Sequence, residues 1–139
     1  FLIYYLIINL YNYFSKIECY SNLNHFAYIP IDNELQNQIN SVDKYISQNG
    51  NAKILDSSAS VYMIPLDIYN KDYDMFNKGN LGINGEEKII EEVSNSNNIK
   101  YLILKDEYLM NWQTPIEVID YVKKNKMKTG EIEKFNIYE

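Results

Sequence analysis

The sequence predicts an α/β fold, a small parallel or mixed sheet of three to four strands flanked by helices and preceded by the end of a transmembrane helix. Three observations carry this reading. Apolar residues recur at helical spacing in separate blocks, short apolar runs of strand length stand between those blocks, and the first fifteen residues carry no charge. The boundaries that follow are residues 1–15 for the apolar leader, 16–32 for a connecting segment and 33–139 for the α/β body.

The leader, FLIYYLIINLYNYFS, is read as the last turns of a truncated membrane span, since a complete span needs roughly 20 such residues. Tyr4, Tyr5, Tyr11 and Tyr13 resemble an aromatic belt at headgroup level. It lacks the basic start and small-residue cleavage site of a signal peptide. Lys16 alone marks the exit, which favours the extracytoplasmic face, because cytoplasmic flanks carry more Lys or Arg. The alternative is a buried core element of a soluble domain.

In the body, Leu35, Ile39, Val42 and Ile46 form a stripe from Asn33 onward. Asp32 or Asn33 can cap its start, and Asn49-Gly50 can supply its left-handed stop. Ala52 to Asp56 reads as a buried strand, followed by a helix near Ser58 to Ile64 that Pro65 ends. Asp67 to Gly85 is polar, aromatic and glycine-bearing, hence a long loop. Glu86 to Val93 places Ile89, Ile90 and Val93 on one helical face, with acids in the first turn where the dipole favours them. Lys100 to Lys105 is a second buried strand. Thr114-Pro115-Ile116-Glu117 has the spacing of a capping box and opens a helix to about Asn125, with Ile116, Ile119, Val122 or their neighbours inside and Lys123, Lys124 and Lys126 near its end. Gly130 to Tyr138 alternates as one terminal strand at the sheet edge.

Charge and rare residues exclude several functions. A formal charge of −6 with no Arg argues against nucleic-acid binding, which needs a basic stripe to neutralise phosphates. One cysteine, Cys19, and one histidine, His25, exclude an intramolecular disulfide, Cys-rich zinc sites and His-pair metal motifs, and neither residue has a sequence partner that would make it a nucleophile or base. No metal ligand set, no catalytic constellation and no cofactor motif is nominated.

The candidate ligand-binding residues are Asp56, Asp72, Asp74, Asn80, Asn111, Trp112 and Gln113. Asp56 closes the first strand of the body, and the carboxyl ends of strands in open α/β sheets are where ligands bind; the alternative is that it caps the next helix. Asp72-Tyr73-Asp74 resembles an acidic cation-holding pair, while Met75 and Leu81 break the calcium-loop pattern that Asn70, Asp72 and Asp74 begin. Trp112 between two amides has the make-up of a sugar platform, with a ring to stack on and hydrogen bonds from Asn111 and Gln113, or else anchors its loop on the core. Gly79, Gly82 and Gly85 precede a helix and offer backbone N–H groups to an anion, against which Glu86 and Glu87 set negative charge.

Taken together, Tyr69 to Asp74, Gly79-Asn80-Leu81-Gly82, Asn111-Trp112-Gln113-Thr114-Pro115 and the closing GEIEKFNIYE resemble the C-terminal extracytoplasmic domain of bacterial multi-spanning membrane proteins. Those proteins are similar to the polyprenyl-phosphate-sugar-dependent, membrane-type glycosyltransferases, including the protein mannosyltransferase and lipid A aminoarabinose transferase groups. The resemblance covers about residues 28–139 and implies a domain accessory to glycan or lipid-linked sugar transfer, with lipid contact through residues 1–15. In that family the catalytic acid lies in an early loop between spans, to which nothing here corresponds, so no catalytic residue carries over. The competing expectation is a soluble cytoplasmic domain that binds a small anion at Gly79–Gly85.

Overall fold

A computed structural model describes residues 2–15, 19–20, 30–57, 62, 76–81, 83–110 and 112–139. Its body is α/β, with a four-stranded mixed sheet flanked by helices. In chain order the elements are α1 (Leu2–Phe14), β1 (Cys19–Tyr20), β2 (Pro30–Ile31), α2 (Asn33–Asn49), β3 (Ala52–Ile54), α3 (Gly85–Asn95), β4 (Lys100–Leu104), α4 (Ile116–Asn125), β5 (Lys128–Ile132) and β6 (Phe135–Tyr138). A short 3₁₀ turn at Asp106–Tyr108 follows β4.

The sheet order is β3-β4-β6-β5, with β3 parallel to β4 and the other neighbours antiparallel. Alternation along β4 sorts its side chains between two layers, as the strand period of two requires. Leu102 and Leu104 face α2, where they join Ile39, Val42, Ile46, Ile54, Phe135 and Ile137. Tyr101 and Ile103 face α3 and α4, where they meet Ile89, Val93, Val118, Ile119 and Val122. The sheet is therefore the middle of three layers, with β4 covered on both faces and the edge strand β5 largely exposed.

Local chemistry explains the helix limits. Asp32 accepts the Leu35 amide at 2.6 Å and caps α2, and Gly50, at φ +72°, stops it with an N–H donated to the Ile46 carbonyl. Both features follow the sequence expectation. The expected capping box of α4 does not form: the helix begins at Ile116, no side chain caps it, and the buried Thr114 hydroxyl donates to the Met110 carbonyl at 3.1 Å instead. The hydroxyl thus closes the preceding turn, while the first turn of the helix has no side-chain cap bond. Ile116 is half-buried, and Val118 takes the inner position beside Ile119 and Val122. Likewise Asn84 precedes α3 without a side-chain cap bond.

The terminal segment departs further from the single edge strand expected. Residues 128–138 form two strands, and β6 lies inside the sheet between β4 and β5, so the edge belongs to β5. The two-residue turn is Glu133-Lys134, with Glu133 at φ +48°. A hydrogen bond of 2.8 Å from the Ser41 hydroxyl to its carboxylate ties the turn to α2. Opposite the turn, Lys105 and Lys128 hold Glu131 from two sides at 3.0 and 2.6 Å. The connecting segment also carries an antiparallel pairing of β1 with β2 that the sequence reading did not anticipate.

Residues 2–14 form a helix, as their composition suggests, but the side chains described on it do not join the core clusters. Ile3, Tyr4, Tyr5, Leu6, Ile7, Ile8, Leu10, Tyr11 and Phe14 are all exposed. Among the described residues no helix is long and apolar enough to cross a membrane. The helix expected over 58–64 lies outside the described residues except for Tyr62, which is helical, and most of the 67–85 loop lies outside them too.

Candidate functional site

The parallel pair β3 and β4 ends in the same direction, and the chain leaves both strands beside one cleft of about 400 Å³. Asp56 and Ser57 reach it from the end of β3, Tyr108 and Met110 from the segment after β4, Gln113 from the turn before α4, and Lys134 from the β5–β6 turn. That location agrees with the rule that ligands of open α/β sheets sit beyond the carboxyl ends of the strands.

Asp56 is buried, at 5% exposure. Lys134 is half-buried, with its ammonium 5.2 Å from the Tyr62 ring centroid and 5.8 Å from that of Phe135. The two rings meet edge to face at 5.4 Å, so the lysine lies against a rigid aromatic corner. Tyr62 donates its hydroxyl to Gln38 Oε1 at 3.3 Å. Burial pushes its phenol above the ordinary value; the Lys134 ammonium opposes that rise, and the Asp56 and Glu133 charges reinforce it. Both charged groups of the cleft therefore act on one phenol.

The sequence-predicted residues divide. Asp56 and Gln113 share the cleft. Asn80 is brought to the neighbouring turn, because the Lys78 amide donates to the Gln113 carbonyl at 2.8 Å and the Asn80 amide to that of Asn77 at 3.0 Å. Trp112 is 74% exposed and does not anchor its loop on the core. It projects outside the cleft, at whose lining Tyr108 and Met110 supply the apolar surface. Asp72, Asp74 and Asn111 lie outside the described residues, as does all but Tyr62 of the helix that Asp56 was expected to cap. Ser57, Tyr108, Met110 and Lys134 were not nominated. Proximity to the end of a strand was the signal for the first three, whereas Lys134 required recognising the hairpin.

At the glycine loop, Gly79 and Gly85 have φ of +86° and +53°, while Gly82 lies outside the described residues. Positive φ accounts for glycine at both positions without a ligand. Glu86 and Glu87 occupy the first turn of α3, where an anion would have to sit, so local charge opposes one. Among the described residues no group of three His, Cys, Asp or Glu side chains is arranged to hold a metal ion. Comparison with protein-family models, with curated proteins and with solved structures gives no match to this chain.

Proposed function

We propose that this chain is a membrane-associated α/β domain on the extracytoplasmic face, accessory to glycan or lipid-linked sugar transfer, with the transfer chemistry carried by another part of a glycosyltransferase-like integral membrane protein. The observation that supports the lipid contact is the exposure of α1. A helix without a charged residue turns Ile3, Leu6, Ile7, Leu10 and Phe14 to solvent while both core clusters are filled by other residues. Leaving that many large apolar side chains in water costs roughly 1.5–3 kcal/mol each relative to burial, which favours a nonaqueous partner. At about 1.5 Å per residue the helix is shorter than the hydrocarbon core of a bilayer, so its contact with lipid does not by itself amount to a crossing. The glycan part rests on the exposed indole of Trp112 beside the Gln113 amide and on the sequence resemblance.

Vesicle flotation tests the lipid contact. The chain is expected to float with phospholipid vesicles, and a Leu6→Lys, Ile7→Lys double variant is expected to stay at the bottom with an unchanged melting temperature. A wild-type chain that does not float refutes it. Trp112→Ala is expected to weaken binding of an oligosaccharide or lipid-linked sugar. Unchanged binding removes Trp112 from the reading.

A further inference from the structure

We infer that the cleft beyond β3 and β4 binds a small zwitterion, a ligand with a primary ammonium and a carboxylate or phosphate. The cleft is lined by one carboxylate, Asp56, and one ammonium, Lys134. These opposite charges are not paired with each other: among the described residues Lys134 is in no ion pair, and its ammonium interacts with the Tyr62 hydroxyl and lies over the Tyr62 and Phe135 rings, leaving donors of the three it carries for a ligand. A ligand of single charge is drawn by one of the two groups and repelled by the other, whereas a zwitterion satisfies both. Asp56 has a partner of its own, but a carboxylate offers about four acceptor sites and can take a ligand ammonium as well.

The remaining lining fits the same chemistry. The Ser57 hydroxyl and the Gln113 amide can donate to the ligand's anionic oxygens beside Lys134, and Gln113 can also accept from its ammonium. Tyr108 and Met110, both exposed, give the apolar part of such a ligand a surface to cover. The geometry has a structural cause. Lys134 reaches the cleft because β6 pairs with β4 and the Lys105 amide donates to the Lys134 carbonyl at 2.9 Å, and Asp56 because it follows the last residues of β3. Two sources share this chemistry, a free amino acid and an ethanolamine-phosphate headgroup. The inference stands apart from lipid contact by α1 and from the Trp112 surface.

Amide NMR on the full chain tests it, with L-methionine and phosphoethanolamine as zwitterions, propylamine, propionate and inorganic phosphate as singly signed probes, and methyl α-mannoside as an uncharged polyol. The zwitterions are expected to shift the resonances of Ser57, Gln113 and Lys134 saturably and to bind at least about tenfold more tightly than the other probes, the scale of one charge-assisted hydrogen bond. Lys134→Gln is expected to bring the zwitterions down to the level of propylamine. Asp56→Asn is expected to bring them down to that of propionate. Lys134→Gln alters a turn side chain and leaves the end of β3 intact, so it decides the matter even if the Asp56 variant fails to fold. Competition between L-methionine and phosphatidylethanolamine vesicles, with phosphatidylcholine vesicles as the control, separates the headgroup from the free amino acid. Equal binding of singly charged or uncharged probes, shifts confined to residues outside the cleft, or no saturable shift with either zwitterion overturns the inference. In each of those results the flotation outcome is unaffected.

Discussion

Leu102→Ala and Ile103→Ala truncate successive residues of β4 whose side chains enter opposite layers. Both residues are 0% exposed. Removing either leaves a cavity in a packed layer, and large-to-small changes of this kind cost about 2–5 kcal/mol, the transfer energy of the lost methyl groups plus the cavity term. A domain of this size is stable by about 5–15 kcal/mol, so each loss is a large share of the total. At about 3–5 °C per kcal/mol for a chain of this length, a cost near 3 kcal/mol lowers the melting temperature by about 9–15 °C. Ile83→Ala is the matched control. It deletes similar atoms from a side chain that is 101% exposed, and is expected to change stability by less than about 0.5 kcal/mol. Urea titration followed by circular dichroism gives all three values. If either core variant costs less than about 1 kcal/mol, the corresponding face of β4 is not covered by a packed helix layer, and the three-layer description fails.

Other outcomes follow from single contacts. Asp32→Ala is expected to cost about 1 kcal/mol, because it removes the side-chain cap of α2, whereas Glu117→Ala is expected to be near neutral, since no side-chain cap bond forms at α4; thermal melts distinguish the pair. Glu133→Gly is expected to be neutral or to stabilise by up to about 1 kcal/mol, as relief of the left-handed conformation outweighs the exposed bond to Ser41, and a loss beyond about 1 kcal/mol in urea titration contradicts this. The bonds from Lys128 and Lys105 lower the Glu131 carboxyl from 4.5 to about 2 in the folded chain. A lowered folded value contributes stability that is present above pH 4.5 and lost as pH falls toward 2, so the difference between wild type and Glu131→Gln is expected to shrink across that interval. Trp112→Ala is expected to leave the melting temperature within about 2 °C, its indole being exposed.

What was legible in the sequence was whatever local periodicity or local hydrogen bonding decides. The stripe of Leu35, Ile39, Val42 and Ile46, the Asp32 cap and the Gly50 stop are properties of adjacent turns, and they stand as expected. The apolar runs of β3 and β4 gave their burial because parallel strands covered on both faces read as continuous rather than alternating. The hairpin was not legible, since its turn is Glu-Lys and not a pair that favours positive φ; Glu133 adopts that region through pairing of the flanking strands and the bond to Ser41. The capping box at Thr114 was not realised: its hydroxyl bonds back to the Met110 carbonyl, and the helix starts one residue later than the spacing suggests, at Ile116. The site divides along the same line. Asp56 was found from its place at a strand end, whereas Lys134 enters the cleft only through the order β4-β6-β5, a long-range pairing that no local spacing encodes.

Hydrogen–deuterium exchange of the α1 amides, with and without phospholipid vesicles, tests the membrane reading most directly. The account predicts that residues 2–14 exchange fast in water and become protected when vesicles are added, with the β4 and β6 amides slow in both conditions. Protection of 2–14 in the absence of lipid, or no change when lipid is present, would contradict it.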